Sequence, residues 1–230
     1  LVQCAGYMRM YHHRYLELLR ETCTKYNVHL IADEIAVGFG RTGSMFAFEQ
    51  AKITPDIICL SKGITGGYMT LSTILTTDEI YDAFYDEYIK LNAFLHSHSY
   101  TANPIACAAA NATLKIFNEK NILKKNIKLS DHINKSFESI REHPNVSDVR
   151  QKGMIIAIEM VKDKKNKTPY NWKERRGIKA YLYGLKNNVL MRPLGNVLYF
   201  MPPYVITKKE ITFVSEVMRE AVNEATKKNP

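Results

Sequence analysis

The sequence predicts an α/β fold for its first part and a small α+β domain for its second. Helix-like and strand-like apolar patterns alternate up to about residue 120. Two of the strand-like segments end abruptly in charged residues, and after residue 120 the chain turns more polar, with strand pairs between helices. We therefore expect two domains, 1–120 and 121–230, and 46% hydrophobic content is enough to give each a core.

The first part begins with one helix and also contains three strand-like segments. Apolar residues at helical spacing predict a helix over about 11–27. Short apolar runs predict strands at Val28–Ala32 and Asp56–Leu60, and Thr70–Thr77 is rich in strand-forming residues. Because helices and strands alternate, we expect a mostly parallel sheet.

Two further helices of the first part carry start signals. Thr77 precedes two acidic residues, which favour the first turn of a helix. Asn103 is a cap residue, and Pro104 suits the first helical position, so an alanine-rich helix should run to about Phe117.

The second part contains helices and strands and is interpreted as a small α+β domain. A polar helix is expected over about 121–142, and a last helix opens with the capping box Thr207–Glu210. Between them the pattern predicts strands at Val146–Arg150 and Met154–Val161, a helix near Trp172–Asn187, and strands at Val189–Arg192 and Val197–Met201.

Composition argues against several classes of function. The net charge of +9 comes from dispersed lysines and arginines with no aromatic interleaving, which favours a solvated surface over nucleic-acid binding. No run of 18 apolar residues predicts a membrane span. The four cysteines form no C-x-x-C pair, which predicts neither a disulfide frame nor a zinc site. We expect a cytoplasmic protein without a metal site.

Two strand ends carry groups that could do chemistry. Asp33 follows the first predicted strand and Lys62 the second. Ligands of open parallel sheets bind beyond the carboxyl ends of the strands. An amine and a carboxylate there would suit pyridoxal 5′-phosphate, whose aldehyde forms an imine with lysine and whose pyridine nitrogen pairs with an acid. From the pattern alone, a solvated lysine and a turn-forming aspartate are favoured over this cofactor role.

The segments around these residues resemble a known family. Residues 30–43 read LIADEIAVGFGRTG and residues 56–67 read DIICLSKGITGG, with 29 positions from Asp33 to Lys62 (62 − 33). Together they resemble the central signature of class III aminotransferases. The resemblance implies a fold-type I enzyme that uses pyridoxal 5′-phosphate and is usually a homodimer with active sites at the subunit interface. It also implies that Lys62 is the Schiff-base lysine and Asp33 the pyridine partner.

Residues 96–104, HSHSYTANP, precede a predicted helix N-terminus, where backbone N–H groups favour an anion. In the family, the matching stretch reaches across the dimer to the neighbour's cofactor phosphate. The resemblance assigns that contact to His98 and Ser99 and places Ser97 near the substrate, although the family often has Gly at Ser97 and Ala102. A metal role for the histidine pair lacks a third ligand, so a capping role is favoured.

Residues 189–203, VLMRPLGNVLYFMPP, contain a second candidate site. Arg192 at a strand end offers a planar fork for a carboxylate, and a structural ion pair is the alternative. The stretch resembles the class III subfamily of biotin synthesis that converts 8-amino-7-oxononanoate to 7,8-diaminononanoate. The resemblance implies that Arg192 binds the keto-acid carboxylate and that Tyr199 lines the pocket for these small-molecule substrates. S-adenosylmethionine or lysine could be the amino donor.

The chain lacks an initiator methionine, and full enzymes of the family are about twice as long. We therefore expect a fragment without the family's phosphate cup and ring-stacking aromatic, which alone binds cofactor poorly, is inactive and has an exposed apolar sheet edge. Two alternatives stay open. One is another class III aminotransferase, acting on ornithine, 4-aminobutyrate or a diamine. The other is a non-catalytic fragment serving dimerisation or as a basic binding module.

Overall fold

A computed structural model describes residues 1–227 and divides the chain into two compact units. Unit 1 comprises Leu1, His12–Gly40 and Ser44–Asn121, and unit 2 comprises Val2–Tyr11, Arg41–Gly43 and the chain from Ile122. The predicted domains 1–120 and 121–230 stay a prediction, because compactness does not test independent folding.

The described residues form six α-helices and ten strands. The α-helices are α1 (His13–Lys25), α2 (Asp78–Asp82), α3 (Pro104–Lys120), α4 (Ile122–Ser136), α5 (Arg176–Lys186) and α6 (Lys208–Thr226). The strands are β1 (Val2–Gln3), β2 (Arg9–Met10), β3 (Ile31–Asp33), β4 (Ile57–Leu60), β5 (Thr73–Thr76), β6 (Val146–Lys152), β7 (Ile155–Asp163), β8 (Thr168–Pro169), β9 (Arg192–Leu194) and β10 (Val197–Phe200).

Unit 1 is built on a three-stranded sheet in the order β3-β4-β5. β3 runs parallel to β4, with Ile31 opposite Ile57 and Asp33 opposite Cys59. β5 runs antiparallel to β4, so only one of the two pairings has the expected parallel direction. The connection from β4 to β5 contains a short 3₁₀ turn, Lys62–Thr65, and no α-helix.

A carboxylate at the foot of β4 holds the parallel pair in register. Asp56 accepts a hydrogen bond from the backbone N–H of Leu30 at 2.6 Å and from the Arg20 guanidinium at 2.7 Å. The Leu30 N–H and then the Arg20 guanidinium lower the pKa of Asp56 below its usual range. The same side chain therefore ties α1 and the start of β3 to β4.

The sheet of unit 1 presents apolar edges within the described residues. β3 and β5 are its outer strands. Ile31 on β3 is 58% exposed and Ile74 on β5 is 64% exposed. The buried cluster of this unit is small, consisting of Phe39, Leu60, Ile64 and Ala110. The exposed apolar edge predicted from the sequence is present.

Unit 2 is an antiparallel sheet in the order β6-β7-β10-β9, with β8 also on β7. Residues 155–158 of β7 are fully buried in succession, so both faces of this strand are covered. Side chains of α4, α5 and α6 share its core. The α+β expectation for this part of the chain is confirmed. Among the helices described, none is both long enough and apolar enough to cross a membrane.

Two strands begin later than the sequence predicts. The N–H of Val28 donates to Cys23 O at 2.9 Å, and the N–H of Val189 donates to Gly184 O at 2.9 Å. Both bonds close the ends of the preceding helices, α1 and α5. These apolar residues therefore serve helix termination, and pairing starts only at Ile31 and Arg192.

A buried arginine anchors the end of α6 within unit 2. Arg176 is 5% exposed and pairs with Glu174 at 2.6 Å. It donates to the carbonyls of Ala225 at 2.8 Å and Lys227 at 2.6 Å, and stacks over Tyr170 at 4.5 Å. Helix C-terminal carbonyls lack intrahelical partners, so this guanidinium satisfies them.

We predict that Arg176→Ala lowers the free energy of unfolding by about 1–3 kcal/mol, because it leaves two carbonyls and a half-buried carboxylate without their partner. Arg219→Ala is the matched control, since Arg219 is 45% exposed and should change stability by less than about 0.5 kcal/mol. Urea unfolding followed by circular dichroism measures both. Equal effects of the two substitutions would contradict this role of Arg176.

Candidate active site

The parallel pairing brings Asp33 and Lys62 to one edge of the sheet in unit 1. Asp33, the last residue of β3, lies opposite Cys59. The N–H of Glu34 donates to Cys59 O at 3.0 Å, which extends the pairing by one residue. Lys62 follows β4 directly after Ser61. The carboxylate and the amine therefore belong to adjacent carboxyl ends of parallel strands, where such sheets bind ligands.

Both side chains are available to a ligand. Asp33 and Lys62 are exposed, and neither forms an ion pair within residues 1–227. Asp33 Oδ1 accepts one hydrogen bond, from the N–H of Ile35 at 3.0 Å. The amine and the carboxylate therefore do not neutralise each other.

The backbone at Lys62 has an unusual conformation. Its φ of 44° lies in the left-handed region, which costs a non-glycine residue about 1–2 kcal/mol. The turn is fixed by Ser61 Oγ, which donates to Leu71 O at 2.8 Å, and by the N–H of Ile64, which donates to Ser61 O at 3.1 Å. Such conformations persist where the surroundings impose them, and they cluster at functional sites.

Glu34, which follows Asp33, has a structural role that the sequence does not reveal. Glu34 is 3% exposed, and its carboxylate accepts the backbone N–H groups of Ala47 and Phe48, each at 3.0 Å. Burial raises the pKa of Glu34, while those two N–H groups and the chain's N-terminus lower it and Glu49 raises it further. The side chain closes the loop that leaves β3.

The stretch before α3 forms a hydrogen-bonded turn. His98 Nδ1 accepts the N–H of Tyr100 at 3.1 Å, and Thr101 Oγ1 accepts the N–H of His98 at 3.1 Å. Asn103 Oδ1 accepts the N–H groups of Ile105 at 3.0 Å and Ala106 at 3.2 Å, the cap that the sequence predicts. Ala102, where the family often has glycine, has a left-handed φ of 55°.

Ser97, His98 and Ser99 are all exposed, and their phosphate and substrate roles stay predictions. Among residues 1–227, no group of three or more His, Cys, Asp or Glu side chains is arranged to hold a metal ion.

Arg192 and Tyr199 are brought together in unit 2. They lie directly opposite each other on the antiparallel strands β9 and β10, so their side chains share one face of the sheet. Arg192 is exposed and forms no ion pair in the described part of the chain, so the structural alternative finds no partner there. Tyr199 is half-buried and lines a cavity of about 460 Å³, which Arg192 does not line. Their substrate roles stay predictions, and these two residues lie in a different unit from Asp33 and Lys62.

Comparisons with known proteins support the resemblance read from the motifs. The family model described as aminotransferase class-III matches residues 1–222. Adenosylmethionine-8-amino-7-oxononanoate aminotransferase from Helicobacter pylori is 47% identical over 231 residues, covering 99% of this chain and 51% of the relative. The chain spans about half the length of the curated relatives it matches.

Solved structures are similar over the same extent. Adenosylmethionine-8-amino-7-oxononanoate aminotransferase from Methanocaldococcus jannaschii matches with a TM-score of 0.87 and 41% identity, covering 91% of this chain and 49% of that one. The omega transaminase from Pseudomonas jessenii in complex with PMP matches with a TM-score of 0.91 and 29% identity, covering 96% and 49%. The α/β fold class is thereby confirmed.

We predict that Glu34 makes stability depend on pH. Its folded-state pKa lies above the ordinary 4.5, so the folded chain binds more protons than the unfolded chain between those two pKa values. The free energy of unfolding of the wild type, relative to Glu34→Gln, should therefore fall as pH rises from about 4.5 through the folded pKa and then level off. Urea unfolding across this pH range measures the difference.

The matched control is Glu119→Gln, because the Glu119 side chain is 54% exposed and should leave that pH dependence unchanged. A relative stability that rises with pH, or stays flat, would show that burial does not dominate the environment of Glu34.

Proposed function

The chain belongs to the class III aminotransferases, and from that premise we propose that it carries the cofactor lysine of an enzyme that aminates 8-amino-7-oxononanoate to 7,8-diaminononanoate in biotin synthesis. The relatives from Helicobacter pylori and Methanocaldococcus jannaschii carry the name of this activity. Their name also supports S-adenosylmethionine as the amino donor, with lysine as the alternative.

One observation carries the proposal: a carboxylate, Asp33, and an amine, Lys62, lie at the carboxyl ends of adjacent parallel strands, and neither forms an ion pair within residues 1–227. This donor set fits pyridoxal 5′-phosphate, which presents an aldehyde to an amine and a ring nitrogen to an acid. When bound, the cofactor supplies a ring that accepts the electron pair left on a substrate carbon after its proton departs.

The two residues have separate tasks in this proposal. Lys62 would hold the cofactor through its amine and would also move a proton at the substrate carbon. Asp33 would pair with the ring nitrogen through its carboxylate and help keep that nitrogen protonated, because an adjacent negative charge favours the protonated form. Both tasks require an exposed side chain, which each residue has.

Other residues are proposed to bind rather than react. His98 and Ser99, in the turn before α3, would contact the cofactor phosphate, with Ser97 near the substrate. The guanidinium fork of Arg192 would bind the keto-acid carboxylate through paired hydrogen bonds, and Tyr199 beside it would line the substrate pocket. These assignments rest on the motif resemblance.

We further propose a cytoplasmic homodimer that completes its active sites at the subunit interface. A segment of unit 1 exposes large apolar side chains typical of an interface, namely Tyr81, Phe84, Tyr85, Tyr88, Ile89, Leu91, Phe94, Leu95 and Tyr100. Cys23, Cys59 and Cys107 are free thiols, which suits a reducing compartment.

The proposal is tested with a chimera that joins this chain to the first half of the Helicobacter pylori relative. With pyridoxal 5′-phosphate the chimera should aminate 8-amino-7-oxononanoate, and borohydride reduction should leave the pyridoxyl tag on Lys62. Lys62→Ala should lower kcat by a factor of about 10⁴ or more, since the nucleophile is lost. Lys52→Ala, at an exposed lysine of the same unit, is the control.

The 230-residue chain alone should show no transamination, because it spans about half the length of its relatives. A tag on another lysine of a working chimera would remove Lys62 from the mechanism. A chimera that prefers ornithine, 4-aminobutyrate or a diamine would favour a different class III activity, and activity of the chain alone would contradict its expected dependence on the missing half.

In the same chimera, Arg192→Lys should raise the KM for 8-amino-7-oxononanoate by about 10–100-fold with a smaller change in kcat, because lysine keeps the charge but loses the fork. Arg219→Lys, at an exposed helix position, serves as the control. An unchanged KM in steady-state assays would show that Arg192 does not bind the carboxylate.

A further inference from the structure

The loops that follow β3 and β4 interlock through Phe39 and Gly63. A Cβ added to Gly63 would lie 2.9 Å from both Cβ and Cδ2 of Phe39, a separation that real Cβ atoms essentially never show. Phe39 is itself 3% exposed. The phenylalanine therefore occupies the space directly over the residue that follows Lys62, and only glycine fits there while it does.

Each loop contains a residue whose backbone conformation is intrinsically unfavourable. Lys62 has a φ of 44° and Phe39 a φ of 55°, both in the left-handed region that disfavours residues with a Cβ. The ring of Phe39 packs edge-on against Phe46, with centroids 5.7 Å apart, and shares a buried cluster with Leu60 and Ile64. Packing of this kind is what sustains an unfavourable backbone.

The loop that carries Phe39 is braced so that the ring cannot simply withdraw. The buried carboxylate of Glu34 holds the far end of the loop through the N–H groups of Ala47 and Phe48. Inside the loop, the N–H of Gly38 donates to Glu34 O at 2.9 Å. The position of Phe39 is thus set from the same strand end that carries Asp33.

We propose that Phe39 is a positioning residue for Lys62. Glu34 holds the loop of Phe39 in place, and Phe39 packs against Gly63, so that the Lys62 backbone stays left-handed. The packing thereby couples the turn at Lys62 to the end of β3, where Asp33 lies. The meaning of this coupling for catalysis rests on the proposed function of Lys62. The coupling itself is a property of the chain and does not require cofactor.

The test uses the 230-residue chain in four forms: wild type, Gly63→Ala, Phe39→Gly and the double variant. The ¹³Cα and ¹³Cβ chemical shifts of Lys62 report whether its backbone is left-handed. Acetylation followed by peptide mass spectrometry gives the modification rate of Lys62 relative to Lys52, an exposed lysine with a similar φ of 51°.

Gly63→Ala should move the Lys62 shifts out of the left-handed range and change its relative modification rate about threefold or more. In the Phe39→Gly background the same methyl group meets no ring, so its added effect should be less than about 1.5-fold. Phe39→Leu, which keeps the Cβ and a branched side chain over Gly63, should retain the wild-type Lys62 shifts.

Equal effects of Gly63→Ala in both backgrounds would overturn the proposal. So would unchanged Lys62 shifts in Phe39→Gly. If Gly63→Ala fails to fold, the Lys62 shifts of Phe39→Leu and Phe39→Gly are compared instead. Only Phe39→Gly removes the side chain that packs against Gly63, so only this variant should change the shifts. A pyridoxyl tag on another lysine of the chimera would end the catalytic meaning of Lys62 and leave this coupling result intact.

Discussion

The parallel register of β3 and β4 is the constraint from which the rest of the candidate site follows. Asp33 lies opposite Cys59, so the chain reaches the carboxyl edge of the sheet at Asp33 on one strand and just before Lys62 on the next. A slip of one residue would turn Asp33 to the other face of the sheet. Asp56 opposes such a slip at the other end of the strands, where it fixes Leu30 and Arg20.

Local chemistry made part of this fold predictable. The cap at Asn103 and the capping box at Thr207 each satisfy helix N–H groups that have no other partner, and both are formed. Strand starts were harder to place, because apolar residues such as Val28 and Val189 can also close a helix, which is what they do. The direction of β5 could not be predicted from the residue pattern, because side chains alternate between the two faces in both parallel and antiparallel strands.

The candidate site, like the fold, was only partly predictable from the sequence. Asp33 and Lys62 were identifiable because strand ends and family motifs both mark them. Glu34 was overlooked because a second acid beside Asp33 reads as a solvated charge until the loop folds back and buries it. The left-handed backbone at Lys62 and Phe39 carries no sequence signal, since glycine, the usual marker, stands beside Lys62 rather than at it. Long-range packing, not local preference, decides such positions.

A crystal structure of the chimera grown with pyridoxal 5′-phosphate would show whether Asp33 and Lys62 serve one cofactor ring. We expect continuous density from Lys62 Nζ to the cofactor, with the Asp33 carboxylate about 2.7–3.0 Å from the ring nitrogen. Density joined to another lysine, or a ring nitrogen more than about 3.5 Å from Asp33, would contradict it.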